Sequence, residues 1–396
     1  MQQKKVGILG GGQLGRMLLS PAIDLDIELH FLENDSNAPC STVSRNFHKG
    51  DITDYQNVLD FGRKMDIISI EIEKVSADAL EQLEKEGKKV FPQPAIIRLI
   101  QDKRLQKQFY KDNQIPTSEF VLIDDKEELI DYLTQESKID KNLFPIVQKL
   151  GKDGYDGKGV QILKSLEDAK QNGFDTPSLL EEKIDIEKEI SVIIARNEKG
   201  EISVFDAVEM VVNEKYNLLD YLLAPAQITE AQKEESIRLA KEVIEKLGQK
   251  EGINGMVGLL AVELFLTKNN DKKGTILVNE VAPRPHNSGH HTIEASTTSQ
   301  YAQHLRSIMN LPLGKTTLRS SAAILNLIGE ENHTGEPFYE GLDKLLDLEN
   351  VYPHIYGKKQ TKPARKMGHI TILGNDMDSL KETIDKVKSS IRVITK

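Results

Sequence analysis

Glu263 and Glu280 each sit within a strongly apolar stretch, MVGLLAVELFLT and GTILVNEVA. Burying an ionised carboxylate without partners costs on the order of several kcal/mol, so positive charge belongs nearby. The polar segment KNNDKK between the two stretches reads as a hairpin tip. With the turn centred between Asp271 and Lys272, the two strands pair so that Glu263 lies directly opposite Glu280. Like charges facing at about 5 Å repel, so either one carboxyl keeps its proton or cations bridge the pair. Magnesium fits, being a hard cation that takes one or two carboxylates, waters and substrate phosphates. A pair of glutamates neutralised by lysines is the plainer alternative. Asn279, next to Glu280, offers a neutral oxygen to a metal or a contact to a nucleotide.

Just downstream runs APRPHNSGHH, where Pro283 and Pro285 forbid a helix and present Arg284, His286 and Asn287 on extended backbone. A cation, an imidazole and an amide beside two metal-binding carboxylates suit phosphoryl transfer. A zinc site on His286, His290 and His291 lacks an H-E-x-x-H motif and any cysteine support. In GKDGYDGKG, Gly151, Gly154, Gly157 and Gly159 free the backbone to close over an anionic ligand, with Lys158 in the loop and Lys149 at its base. The segment lies between two strands, FPIVQK and VQILK, which makes it a hairpin flap and not a nucleotide P-loop. GKKQTKPARK carries five positive charges between Lys358 and Lys366. It is either a solvated basic loop or a phosphate pocket built on Lys358 and Arg365.

The elements that must hold these groups are legible in outline. KVGIL predicts a first strand, and Gly10, Gly12 and Gly15 then form G-x-G-x-x-G before a helix, with Glu33 ending the next strand. Alone, that pattern indicates a dinucleotide such as NAD; a tight strand-to-helix turn needs the same glycines. Strands at 27–32, 66–72 and 88–92 alternate with helices, which argues for a parallel sheet covered on both faces. FPQP closes this first unit. Helix is predicted over 95–113 and over 229–247, and a helix carrying Tyr301, Leu305 and Ile308 ends near Pro312. Residues 320–396 read as a small strand-rich unit with a closing helix. Three domains follow, at 1–94, 95–312 and 313–396, in a fold class combining α/β and α+β.

Lys plus Arg number 52 against 62 Asp plus Glu, a net charge of −10 that disfavours nucleic acid as a partner. Charged residues make up 29% of the chain and mean hydropathy is −0.41. No uncharged run approaches the ~20 apolar residues of a membrane span, and the N-terminus is too glycine-rich for a signal-peptide core. A single cysteine, Cys40, suits a reducing compartment, and the cytoplasm is expected.

Taken together, GILGGGQLGRM, IEIEKV, GYDGKG, VELF, NEVAPRPHNSGH and KPARKMGH resemble, in order and across nearly the whole chain, the ATP-grasp enzymes known as N5-carboxyaminoimidazole ribonucleotide synthetases. The resemblance implies a Rossmann-like first domain without NAD, a central ATP-grasp domain with its flap at 151–159, and a small C-terminal domain. It implies a purine-synthesis ligase, acting as a homodimer. ATP and magnesium would activate bicarbonate as carboxyphosphate, and 5-aminoimidazole ribonucleotide would then be carboxylated. Lys103 and Lys149 would touch ATP phosphates under the flap residues Gly154, Tyr155, Asp156, Gly157, Lys158, Gly159 and Val160. Glu181, Glu182, Lys183 and Ile184 would form the adenine edge and Glu189 would hold the ribose, with Asn213 and Asn279 near the nucleotide. Glu263 and Glu280 would bind magnesium; Arg284, His286 and Asn287 would hold bicarbonate or carboxyphosphate. Gln13, Leu14, Glu73, Tyr155, Lys358 and Arg365 would bind the ribonucleotide. Asn213 stands where histidine is common, Lys103 where arginine is common, and Asp153 replaces a usual glycine. Another ATP-grasp ligase, or an NAD-dependent oxidoreductase resting on the first glycine loop, is the alternative.

Overall fold

The computed structural model describes residues 3–152, 154, 159–213, 218–249, 252–268 and 276–396, with the backbone alone for 212, 213, 218 and 219. The first unit is β1 (Lys5–Leu9), α1 (Gln13–Asp24), β2 (Glu28–Glu33), β3 (Phe47–Lys49), α2 (Tyr55–Gly62), β4 (Ile67–Ile70), α3 (Ala77–Lys85) and β5 (Lys89–Val90). Its strands are all parallel in the order β3-β2-β1-β4-β5, and β3 is a strand the sequence pattern does not reveal. Alternation along the strands sorts the core. Val6 and Ile8 pack with Leu14 and Leu18 of α1, while Leu9, Ile68 and Ile70 pack with Leu59 of α2 and Leu80 of α3.

The expected helix over 95–113 is two helices, α4 (Pro94–Ile100) and α5 (Lys103–Asp112). Asp102 breaks it: its carboxylate caps α5 by accepting from the Arg104 N–H. Next come β6 (Phe120–Ile123), α6 (Lys126–Ile139), β7 (Ile146–Leu150), β8 (Val160–Leu163), α7 (Leu166–Asn172) and β9 (Ser178–Glu182). These strands form an antiparallel sheet ordered β6-β9-β7-β8. Ile146, Leu163 and Leu180 on one face bury against Leu129 and Leu133 of α6 and Ala169 of α7.

A nine-stranded sheet takes up most of the remainder. It begins with β10 (Ile186–Arg196), β11 (Ile202–Val204), β12 (Val208–Asn213) and β13 (Leu218–Ala224). After α8 (Glu230–Lys246) come β14 (Gly258–Thr267), β15 (Ile276–Ala282), α9 (Thr292–Ala295) and α10 (Gln300–Ile308). Thr229 opens α8 with a capping box to Gln232, and Leu239, Ala240, Val243 and Ile244 bury one stripe against Val192, Leu260 and Val262. The chain ends with β16 (Ser321–Ile328), β17 (Phe338–Glu340), α11 (Leu342–Leu346), β18 (Val351–Ile355), β19 (Lys366–Gly374), α12 (Met377–Ser390) and β20 (Arg392–Ile394). The sheet order is β15-β14-β10-β12-β13-β16-β19-β18, so the strands after residue 312 extend the central sheet through the β13–β16 pairing. Tyr301, Leu305 and Ile308 of α10 pack with α1 on the first domain's sheet, which locks that domain beside the loop that follows β15.

Candidate active site

Glu263 and Glu280 are direct partners across β14 and β15. The expected register holds for Ala261–Ala282, Val262–Val281 and Glu263–Glu280, then slips by one at a bulge, so that Leu264 faces Val278. Asn279 is the extra residue. The tip between these strands lies outside the described residues. Strand alternation gives the sheet two characters. Val262, Leu264, Val278 and Val281 face α8, whereas Glu263, Glu280, Ser191 and Glu189 share the opposite face.

The antiparallel sheet of β6 to β9 faces that acidic surface. Lys149 on β7 reaches Asn279 Oδ1 at 3.0 Å and Glu181 Oε1 at 3.1 Å. Lys103, the first residue of α5, pairs with Glu280. A small, partly open space between the sheets is lined by Lys103, Gln106, Lys107, Lys149, Glu181, Asn279 and Glu280. Lys107 was not singled out from the sequence, although it lies four residues after Lys103 on the same helix face. Its ammonium lies 3.2 Å from Glu181 Oε2 and 2.8 Å from Ser118 Oγ. Burial lowers the Lys107 pKa to about 8. Burial works against Glu181 too, but Lys149, Lys107 and the Ser118 hydroxyl hold it below its ordinary value.

The facing glutamates split. Burial, then Glu280 and Glu189, push Glu263 up to about 8, while Lys103 holds Glu280 down to about 2. One lysine therefore neutralises one carboxylate, and the second keeps a proton or awaits a cation. The set is hard oxygens at a cleft, open enough that 37% of the Glu280 side chain is exposed, which fits a divalent ion that also takes phosphate oxygens.

The loop after β15 closes the other side. Arg284 Nε lies 2.8 Å from Glu73 Oε1, joining the first domain to this loop. His286 Nε2 lies 3.2 Å from Glu263 Oε1, and its Nδ1 meets Ser288 Oγ, which meets Ser191 Oγ at 2.8 Å. Gln300, not foreseen, fixes the His286 backbone at both ends: Oε1 accepts from the His286 N–H and Nε2 donates to its carbonyl. Asn287 opens the short 3-10 turn that follows. His290 is instead tied to the Tyr301 hydroxyl, and His291 Nδ1 to the Ser288 carbonyl, so the three histidines do not converge. Among the described residues, no three His, Cys, Asp or Glu side chains form a metal-binding group.

Other expected residues lie around this centre. Glu182 and Lys183 are exposed and Ile184 is buried at the end of β9. Burial and Glu280 raise the pKa of Glu189. Val160 opens β8, and Gly159 has φ +80°. Tyr155, Asp156, Gly157 and Lys158, with Asp153, lie outside the described residues, as does the Asn213 side chain; Gly154 is within them. Gln13 and Leu14 open α1. Lys358 Nζ donates to the Lys366 carbonyl at 2.6 Å, and Arg365 Nη1 to the Gln360 carbonyl at 2.9 Å. Their loop approaches α1 closely, since a Cβ on Gly357 would come within 2.7 Å of Arg16 Nη1.

Two sheets closing on a lysine- and carboxylate-lined cleft define the ATP-grasp ligase class, and residues 108–301 match the ATP-grasp domain model. Residues 3–101 match the ribonucleotide synthetase preATP-grasp domain, and 322–383 the phosphoribosylaminoimidazole carboxylase C-terminal domain. A crystal structure of N5-carboxyaminoimidazole ribonucleotide synthetase from Thermotoga maritima is 38% identical, with TM-score 0.87 and 100% of both chains covered. The Aspergillus clavatus synthase solved with ADP and 5-aminoimidazole ribonucleotide is 29% identical, with TM-score 0.83 over 98% of both chains. The N5-carboxyaminoimidazole ribonucleotide synthase of Synechococcus elongatus is 35% identical over 93% of this chain and 89% of its own. The chloroplastic phosphoribosylaminoimidazole carboxylase of Vigna aconitifolia is also 35% identical, and this chain spans 66% of its length. The chain belongs to the N5-carboxyaminoimidazole ribonucleotide synthase family.

Proposed function

We propose that this chain converts 5-aminoimidazole ribonucleotide, bicarbonate and ATP into N5-carboxyaminoimidazole ribonucleotide, ADP and phosphate. The observation that carries the reading is the Glu263–Glu280 pair, flanked by Lys103 and Lys149 on one side and by Arg284 and His286 on the other. Phosphoryl transfer needs alignment and charge neutralisation more than a covalent nucleophile, and this set supplies both. Glu263 and Glu280 would hold magnesium, which when bound neutralises the phosphate oxygens of ATP.

Lys149 and Lys103 position the triphosphate. Glu181, kept ionised by Lys107 and Lys149, and Ile184 line the adenine side, and Glu189 takes the ribose. A bicarbonate oxygen attacks the terminal phosphorus, ADP leaves, and carboxyphosphate is held by Arg284, His286 and Asn287. The exocyclic amine is then carboxylated, either by direct attack on the carboxyl carbon with loss of phosphate or through CO2 released from carboxyphosphate together with phosphate, and the amine loses a proton. Flap residues 154–160 would exclude water from this intermediate. Glu73, Gln13 and Leu14 face the imidazole side, while Lys358 and Arg365 take the ribonucleotide phosphate. In this reading the enzyme acts in the cytoplasm as a homodimer.

ADP release should require ATP and magnesium and rise strongly when both bicarbonate and 5-aminoimidazole ribonucleotide are present. Release indifferent to the ribonucleotide would defeat the assignment. Glu280→Gln should lower turnover by about 10²-fold or more, the scale of losing one electrostatic group at a reacting centre, with the circular dichroism spectrum unchanged.

A further inference from the structure

The first domain's G-x-G-x-x-G is not vacant. All three of its glycines make room for the side chain of Glu71 at the end of β4, Gly15 for Phe31 and Cys40 as well. A Cβ on Gly10 would lie 2.3 Å from Glu71 Cγ, one on Gly12 2.5 Å from Oε1, and one on Gly15 2.9 Å from Oε2. For Gly10 and Gly12, all three of the nearest atoms belong to Glu71. Glu71 is 8% exposed, and its two carboxylate oxygens accept from the Gly12 and Gly15 N–H groups at the start of α1. Gly11 N–H is taken by Glu33, at 3.2 Å. Three of the N–H groups that a dinucleotide fold could offer to pyrophosphate, those of Gly11, Gly12 and Gly15, are therefore taken from within the chain.

We infer that Glu71 is a built-in anion that decides which end of the ribonucleotide meets this loop: with the seat filled, phosphate is refused and the loop presents Gln13 and Leu14 to the uncharged imidazole end. The inference rests on the ribonucleotide site proposed above. It makes Glu71 a positioning residue, acting through the loop, that forces the phosphate toward Lys358 and Arg365. Gly12 has φ −81°, which alanine tolerates, and among the described residues the three atoms nearest an added Cβ there all belong to the Glu71 carboxylate.

Removing the carboxylate should convert the loop into an anion site. Burial pushes the Glu71 carboxyl up to about 7 against the pull of the Gly15 and Gly12 N–H groups, so it is largely ionised at about pH 8; there, in Glu71→Ala, KM for the ribonucleotide should rise about tenfold, roughly 1.4 kcal/mol of lost positioning, while kcat falls less. Sodium formate, against a sodium chloride control, should raise the melting temperature of Glu71→Ala saturably and lower its KM, leaving the parent chain unmoved. Inorganic phosphate should compete with the ribonucleotide in the variant more strongly than in the parent chain. Glu71→Gln keeps the shape and should show the same KM-weighted loss. Gly12→Ala should destabilise the parent chain and be tolerated in the Glu71→Ala background. The proposal is overturned if formate neither stabilises nor rescues Glu71→Ala, or if the Gly12→Ala effect is the same in both backgrounds. The formate-dependent melting shift needs no substrate, so it reports on Glu71 even if ribonucleotide-dependent ADP release fails.

Discussion

Glu263→Gln should make the free protein more stable at alkaline pH while abolishing its activity. An unfolded carboxyl ionises above about pH 4.5, whereas folded Glu263 keeps its proton to about pH 8. Between those values the native state binds the extra proton, so stability falls as pH rises through the window and levels off beyond it. A rise from 4.5 to about 8 sets a ceiling of roughly 5 kcal/mol. Glu263 and Glu280 ionise as an interacting pair, and 20% of the Glu263 side chain is open to solvent, which brings the expected effect to about 2 kcal/mol. For domains of this size that is about 4–8 °C in melting temperature. The assay is thermal melting with chelator from about pH 5 to pH 9. The wild type should lose stability across the range relative to Glu263→Gln, and magnesium with ATP should narrow the gap. A variant that melts below wild type near the alkaline end would refute the argument, because it would mean the ionised carboxylate is already compensated.

Glu280 acts in the opposite sense. Held to about 2 by Lys103, its contribution is present above about pH 4.5 and lost as pH falls toward 2, so Glu280→Gln should flatten the acid side of the same melting curve. Lys107→Met leaves the buried Glu181 short of one cation and should cost about 3–5 kcal/mol, recovered in large part by adding Glu181→Gln; KM for ATP should rise in both. Gln300→Ala removes both hydrogen bonds that fix the His286 backbone; a loss of about 2 kcal/mol in kcat/KM is expected, and unchanged kinetics would show that the loop needs no such clamp.

The apolar runs holding Glu263 and Glu280, with a polar turn between them, were enough to place the two carboxylates opposite each other, because strand alternation and hairpin pairing are local rules. The helix over 229–247 was legible for the same reason, and the structure adds the Thr229 cap that starts it. The bulge at Asn279 was not legible, since one extra residue leaves the pattern on each side intact. Nor was the break at Asp102, where the apolar periodicity continues across two helices and only the cap reveals the join.

Charge balance at the centre belongs to the folded chain. Which glutamate a lysine would neutralise depends on α5 aiming Lys103 at Glu280, residues 177 positions apart, and the clamp of Gln300 on His286 depends on where α10 docks. The glycine loop shows the limit most clearly. Glycines at 10, 12 and 15 report only that no Cβ fits, not what fills the space; Glu71, 56 residues beyond Gly15, arrives there because β4 pairs beside β1. Residue type and near spacing settle which groups can do chemistry, while the approach of distant elements settles which charges meet, since Coulomb energy and burial depend on separations of a few ångströms that no linear pattern encodes.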